Sequence, residues 1–496
     1  MRYKKQIMKQ FLSKIILSGV LIFAASACSD DFLQKEPLNI LTDESFFQTP
    51  EQAIEATNGV YNILRRWEVH AFSYVGMTDI VSDDADKGST PTDANFLLEI
   101  DNLTYSAGNL APATVWNGYY RGIYRANTAI ERIPAIEMDE ALKARLIAEC
   151  RVLRAYFYFN MVRWFGDLPL VTKPLTPDEF EQPRKPQAEV YAQIIQDLEA
   201  AAAVLPESYP AAEMGRVTKG SANGLLARVY LTLGDFQKTE QYALAVINSG
   251  KYALYPNYGK LFTPEGENSS ESVFEVQTTS DPQGLGGSQY NEVQGVRGVP
   301  NLGWGFNRPS DGLVAAYEAS DPRREATILY VGEVLPDGSA IVEDNPEVIN
   351  ERYNQKAWAP QPMNGANGIG GGNIRILRYA DVLLMAAEAA NENGKPQDAL
   401  GYLNMVRARA RGANPFILPN VTVTDKDQLR DRIWRERRVE LAMEQHRWFD
   451  LKRQGRLAAV MQASGKAFVA GKHELFPIPQ EEIDLSNGLL NQNPMY

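Results

Sequence analysis

Histidine and cysteine are nearly missing from this 496-residue chain, which has three of the first and two of the second. His70, His446 and His473 lie far apart, and neither a His-x-x-x-His nor a Cys-x-x-Cys spacing occurs. The sequence therefore offers no basis for a zinc site. Two cysteines cannot make a disulfide framework. Basic residues are outnumbered, 50 Lys and Arg against 62 Asp and Glu, for a net charge of −12. An acidic chain does not suit a phosphate backbone, so nucleic acid is not expected as a partner. After the first 27 residues no apolar run approaches the roughly 20 residues that a spanning helix requires.

What is present begins at residue 1. Arg2, Lys4, Lys5, Lys9 and Lys14 form a basic stretch without an acid, and Ile15 to Ala25 is almost wholly apolar. Ala25, Ser26 and Ala27 then lead into Cys28. Basic, short apolar, then small is the layout of a secretory signal peptide. Small residues directly before a cysteine match a bacterial lipobox, with Ala25 where Leu is commonest. Cys28 is thus the expected lipidation site and the first residue of the mature chain. Several acyl chains on one cysteine anchor stably, at about 0.8 kcal/mol per buried CH₂. The acidic pair Asp30 and Asp31 resembles an export signal to the outer face of the outer membrane. Removing residues 1–27 takes away five basic residues and no acidic one, and moves the net charge from −12 to −17. Cys150 is then left without a partner, and its helical, apolar setting predicts a buried, inert thiol.

Helical periodicity dominates from Pro50 to Gly250. Thr49 and Pro50 make a helix start over 50–66, with Ala53, Ala56, Val60 and Leu64 on one face. A long helix is predicted over 139–165, through Leu142, Leu146, Leu153, Phe157 and Met161, ended by Gly166. Segments 221–247 and 380–409 both read as helix–turn–helix pairs. In each, a small residue (Ala227, Ala387) precedes the turn glycine (Gly234, Gly394) by seven positions. That spacing resembles tetratricopeptide repeats. Since about 160 residues separate the pairs, an irregular helical domain is expected, not a simple solenoid. From 263 to 372 glycines crowd the chain, among them Gly284, Gly286, Gly295, Gly303, Gly305, Gly365 and Gly368. Only a short helix over 311–318 and a strand over 272–278 are predicted there. A long irregular stretch on a rigid scaffold is where binding residues are expected.

Five blocks resemble the SusD/RagB family and come in family order over essentially the whole mature chain. The first is Cys28-Ser29-Asp30-Asp31-Phe32-Leu33 with Pro37. The second is Leu153-Arg154-Ala155-Tyr156-Phe157-Tyr158, continuing through Trp164-Phe165-Gly166-Asp167-Leu168-Pro169. The third is Arg378-Tyr379-Ala380-Asp381-Val382-Leu383 through Glu388. The fourth is Arg437-Arg438-Val439-Glu440-Leu441 with His446-Arg447-Trp448-Phe449-Asp450. The fifth is Pro477-Ile478-Pro479, then Asn491-Gln492-Asn493-Pro494. The resemblance implies a mostly α fold of tetratricopeptide-like pairs with an irregular, loop-rich region. It divides the chain into a signal peptide (1–27), a lipidated tether (28–45), an N-terminal helical region (46–262), a loop-rich ligand-binding region (263–372) and a C-terminal helical region (373–496). It further implies a non-enzymatic surface lipoprotein that captures oligosaccharide and passes it to a SusC-like TonB-dependent outer-membrane transporter. A peptide-binding importer component of the RagB type is the alternative. A surface glycoside hydrolase and a purely structural envelope scaffold are the rivals from other classes.

The charged blocks look like catalytic material, but Arg437 with Glu440, Glu444 with Arg447, and Arg378 with Asp381 are i,i+3 helix neighbours. A partly buried ion-pair network is the expectation. Asp79, Asp83, Asp84 and Asp86 cluster in one loop-like stretch. They suit a solvated loop, sugar contact, a structural calcium site without the EF-hand spacing, or an acid–base pair. No cofactor is otherwise implied. Sugars offer apolar faces to aromatic rings and hydroxyls to amides, carboxylates and guanidinium groups. Two stretches carry that mix. One is 66–105, with Trp67, His70, Tyr74, Asp83, Asp84 and Asn95. The other is 289–308, with Tyr290, Asn291, Trp304, Asn307 and Arg308. Trp67, Tyr74, Asp83, Asp84, Tyr290, Trp304 and Asn307 are the candidate ligand-binding residues, with Trp358 a further one.

Overall fold

A computed structural model describes residues 46–280, 286–360 and 370–496. The signal peptide, Cys28, the tether and glycines 284, 365 and 368 lie outside them. The fold is mostly α. Its helices include α1 (Pro50–Leu64), α2 (Trp67–His70), α3 (Leu110–Arg132), α4 (Glu140–Phe165), α5 (Gln187–Ala202), α6 (Lys219–Leu233), α7 (Phe236–Asn248), α8 (Tyr379–Glu392), α9 (Pro396–Arg411), α10 (Lys426–Glu440) and α11 (Arg447–Arg453). Between them run short strands, among them β1 (Ala85–Gly88), β2 (Ser272–Val276), β3 (Phe306–Pro309) and β4 (Ile374–Arg378).

Local chemistry sets the helix ends. Thr49 caps α1 in a reciprocal box with Gln52, and Pro50 opens its first turn. The Asp139 side chain accepts from Leu142 N to start α4, and Gly166 at φ 74° ends it. Both helices fall where the sequence places them. Gly234 (φ 76°) and Gly394 (φ 75°) turn the two helical pairs. A Cβ at either would meet nothing within 4 Å, so it is the left-handed backbone that calls for glycine. The short helix begins at Asp311 as expected but stops at Val314.

Each of α1, α3, α4, α5, α6, α7, α8 and α9 packs on the next in that order, and α8 also packs on α10. The pairs α6–α7 and α8–α9, distant in sequence, are thus adjacent in space. The irregular segment between them leaves the stack and returns to it, so the helical array continues across a gap that the sequence made look like a break. Ala227 and Ala387 are fully buried, as close helix contact requires. β2 pairs antiparallel with β4, about a hundred residues onward. One large apolar core runs through α1, α3–α9 and this strand pair. Within it the Cys150 thiol is buried, and burial pushes it up to about 12.

The ion-pair network exists, but its members find partners far along the chain and not on their own helix. Arg437 binds Asp381 at 2.6 Å and Asp450 at 3.3 Å. Asp381 is also held by Arg228 at 2.7 Å. Glu440 is fully buried and accepts from Arg378, Arg323 and Arg409. Glu444 binds Arg378 and Lys356, each at 2.6 Å. Burial opposes ionisation of Glu440, but Arg409, Arg378 and Arg323 outweigh it and lower its pKa to about 2. Its ionised form therefore contributes stability that is full above about pH 4.5 and is lost as pH falls toward about 2.

Glu440→Gln leaves three buried guanidinium groups short of charge. The loss is expected to be about 3–5 kcal/mol in urea unfolding at neutral pH, shrinking as pH drops below about 4. A variant as stable as the parent at neutral pH would refute this role.

Candidate functional site

β1 and β3 form an antiparallel ribbon in which Asp86 faces Arg308 and Gly88 faces Phe306. This ribbon joins the two stretches that the sequence singles out, 66–105 and 289–308. Backbone bonds extend it at both ends, from Ser89 N to Gly305 O and from Ser310 N to Asp84 O, at 2.8 and 2.9 Å. Gly88 sits at φ 70°, and a Cβ there would lie 2.6 Å from Gly305 O, so the close approach depends on glycine.

On the ribbon sits an aromatic cluster. The half-buried Phe72 ring meets Trp304 at 5.5 Å, Phe96 at 5.2 Å and Phe306 at 4.9 Å, all edge-to-face. Lys87 donates to Thr90 O and Asp93 O at 2.7 and 2.8 Å, with its ammonium 5.7 Å from the Phe306 ring. Asp93 is paired with Arg297, which holds its carboxyl below the usual range. Asp93 also accepts from Ser89 Oγ at 3.3 Å. Trp67 opens α2 and is 42 % exposed, the one exposed tryptophan among the described residues.

The other candidates point inward. Tyr74 is buried, with its ring edge-on to His70 at 4.8 Å and to Trp164 at 6.0 Å. His70 itself bonds Leu64 O and the Tyr156 hydroxyl. Asn307 is fully buried at φ 63° and donates to Asp79 at 3.1 Å and to Gln294 at 2.8 Å. The Tyr290 hydroxyl lies 3.0 Å from Gln445 Nε2, which also donates to Asp79 at 2.8 Å. Burial, against bonds from Gln445 and Asn307, raises Asp79 to about 6. Asp83 takes both arms of Arg447, at 2.8 and 2.9 Å, and Arg438 at 2.9 Å. Asp84 accepts from Arg438 Nε at 2.8 Å. Asp83 is lowered although burial opposes it, because Arg447 and Arg438 neutralise it. Asp84 is raised, chiefly by burial, with the neighbouring Asp83 adding to it.

Trp358 is buried among Val296, Leu302, Leu329 and Tyr353. Asn291 donates to Ala357 O, and Arg308 pairs with Asp86 and Glu351. Asn95, at a helix start, is exposed. The structure therefore sorts the seven candidates. Trp67 and Trp304 have ring surface to offer a ligand. Tyr74, Asp83, Asp84, Tyr290 and Asn307 are occupied by protein partners, and Asn307 ties the ribbon to Asp79 and Gln294.

Phe72, Phe96, Asp93 and Arg297 all lie in the two stretches of mixed aromatic and polar residues, but no local signal distinguishes them there. From the sequence Arg438 and Arg447 read as helix-face charges. Nothing in their spacing named Asp83, more than 350 residues away, as the partner.

A helical-repeat scaffold carrying loops that meet on an aromatic cluster defines a binding protein of the tetratricopeptide-like class. Residues 270–496 match the SusD family, and residues 31–231 match a family described as starch-binding associating with outer membrane. A SusD-like protein, P2, of Formosa agariphila is 31% identical over 96% of this chain and 98% of its own. The chain belongs to the SusD family. Among solved structures, a laminarin binding SusD-like protein is 31% identical and superposes with a TM-score of 0.79 over 90% of this chain and 100% of its own. Surface glycan-binding protein A of Bacteroides thetaiotaomicron, in complex with laminarihexaose, is 25% identical with a TM-score of 0.77 over the same shares.

Arg447→Ala leaves Asp83 buried with half its countercharge. The variant should lose about 3 kcal/mol of stability. Millimolar calcium should leave the wild-type melting temperature unchanged, because Arg438 and Arg447 already neutralise this acidic pair and repel a second cation. A rise in melting temperature with calcium would contradict that assignment.

Proposed function

We propose that this protein is a cell-surface glycan-binding lipoprotein, anchored through Cys28 in the outer membrane. It captures oligosaccharide and delivers it to a SusC-like TonB-dependent transporter. The reading is supported most by the β1–β3 ribbon, which brings the two aromatic- and amide-rich stretches into one place with Trp304 half-buried in the cluster, and Trp67 on α2 offers a further exposed ring. Relatives that bind laminarin and laminarihexaose over nearly the same length support the ligand class. The basic–apolar–cysteine start supports the anchor, and the family description naming outer-membrane association supports the location.

Trp67 and Trp304 are the proposed stacking residues. Tyr74, Asp83, Asp84, Tyr290 and Asn307 are proposed as their supports. Catalysis is not part of this reading. Glycoside hydrolysis needs one carboxyl poised as acid and another free as base or nucleophile. Asp83, Asp86 and Asp93 are instead paired with arginine, while Glu292, whose carbonyl accepts from Trp304 N, is raised by burial and would have to act without a free second carboxylate among those three.

Isothermal titration of protein beginning at Ser29 against laminarihexaose, other oligosaccharides and peptides tests this. Saturable sugar binding should weaken about tenfold or more in Trp304→Ala and in Trp67→Ala, in line with loss of a stacked ring. No reducing ends should appear on prolonged incubation. Binding of peptides alone would replace the glycan reading with a RagB-type one.

A further inference from the structure

Many arginines of this acidic chain are paired with carboxylates, and beside Trp67 three arginines are exposed together. Arg66 lies at the start of α2, and Arg121 and Arg125 lie one turn apart on the neighbouring α3. Arg66 and Arg121 share a single acid, Glu68, at 3.3 and 3.1 Å. Both guanidinium side chains keep 45% of their exposure, whereas Glu68 keeps 11%. Arg125 is exposed and donates to the carbonyl of Gly59 at 2.9 Å, a neutral group that leaves its charge uncompensated. Burial lowers its pKa, and the like charges of Arg66 and Arg121 lower it further, which places all three in one field. Three arginines thus answer one carboxylate.

Two exposed aromatic rings lie within the same patch. Trp67 stands between Arg66 and Glu68, and Tyr124, 53% exposed, lies one turn from Arg121 and next to Arg125. These rings lie on the surface of regular helices, where core packing does not require them. Arginine offers a planar fork that takes carboxylate or sulfate in two-point fashion, and aromatic rings take the apolar face of a pyranose. Neither group alone defines the ligand, but their alternation does.

We infer that the surface formed by Arg66, Trp67, Arg121, Tyr124 and Arg125 is a binding site for an anionic oligosaccharide, one bearing uronate carboxylates or sulfate esters. This rests on the glycan-capture reading above and adds to it the charge of the preferred ligand. The aromatic cluster at Trp304 would then grip sugar faces irrespective of charge, and the arginine surface would select acidic chains.

The test is titration of the Ser29-onward protein with three sugars (laminarihexaose, a galacturonate hexasaccharide and a chondroitin sulfate hexasaccharide) and with phosphatidylglycerol vesicles. Wild type, Arg125→Ala, Tyr124→Ala and Trp304→Ala are compared in low salt and in about 0.3 M NaCl. At least one acidic probe is expected to bind more tightly than laminarihexaose in low salt and to lose several-fold affinity in high salt. Arg125→Ala should lose about tenfold toward the acidic probe and little toward laminarihexaose, the size of one charge-assisted contact. Tyr124→Ala, which removes no charge, should also weaken the acidic probe, and unchanged melting temperatures exclude misfolding as the cause. Binding of the galacturonate chain establishes carboxylate recognition, and binding of chondroitin sulfate without galacturonate, since chondroitin sulfate carries both groups, assigns the sulfate esters.

Laminarihexaose binding with no acidic binding would overturn this inference and leave glycan capture standing. Acidic binding insensitive to salt and to both variants would overturn it as well. Binding to phosphatidylglycerol vesicles in place of either acidic sugar would reassign the patch to a membrane surface. Failure of all three sugars would remove both readings together.

Discussion

Glu440 is fully buried, and three guanidinium groups stabilise its charge in place of solvent. Arg378 reaches it from the end of β4, Arg409 from α9, and Arg323 from a short helix in the irregular region. Arg378 and Arg409 in turn hold Glu271 at the start of β2, and Arg323 holds Asp321 and Glu436. A buried charge is tolerated only when paired and hydrogen-bonded, so each member constrains the position of the next. This chain of pairs fastens the loop-rich segment to the C-terminal helices. That segment has few long helices of its own; Phe274, Val293 and Phe306 join the large core, and a smaller apolar cluster forms around Trp358. The network adds directional constraints to that packing.

The β1–β3 ribbon and its aromatic cluster inherit this rigidity by a second set of bonds. Arg438 lies in the last turn of α10 and Arg447 begins α11, and both grip Asp83 and Asp84 just ahead of β1. Asp79, Gln445, Tyr290 and Asn307 continue the same link one layer deeper. The polar residues most suggestive of chemistry in the sequence are therefore the ones least available for it. What remains at the surface is aromatic ring area and a rim of paired charges, which suits reversible binding of a neutral, hydroxyl-rich face.

Net charge and local charge also diverge. The chain is acidic overall, yet α2 and α3 set Arg66, Arg121 and Arg125 together around one carboxylate. A diffusing ligand meets the local field, since salt screens interactions beyond about 8 Å at physiological ionic strength. Composition alone would have missed a basic surface of this size.

Much of the helical body was legible beforehand. Thr49-Pro50, Asp139, Gly166, Gly234 and Gly394 are local signals that act within a turn or two, and each marks the element end the sequence assigns to it. Apolar periodicity likewise marked the core faces of α1 and α4, and the order of the family blocks fixed the fold class. Pairing across distance was not legible. Arg437 finds Asp381 and Asp450 and not Glu440; Asp83 finds Arg447; α7 finds α8; β1 finds β3. A side chain's neighbours on its own helix follow from a repeat of 3.6 residues. Neighbours brought by the fold depend on the path of every intervening segment. The sequence could therefore nominate Trp67, Trp304, Asp83 and Asn307 as one group. Only the packed structure could separate the two that keep surface for a ligand from the two whose charges and amides are used up in holding the site together.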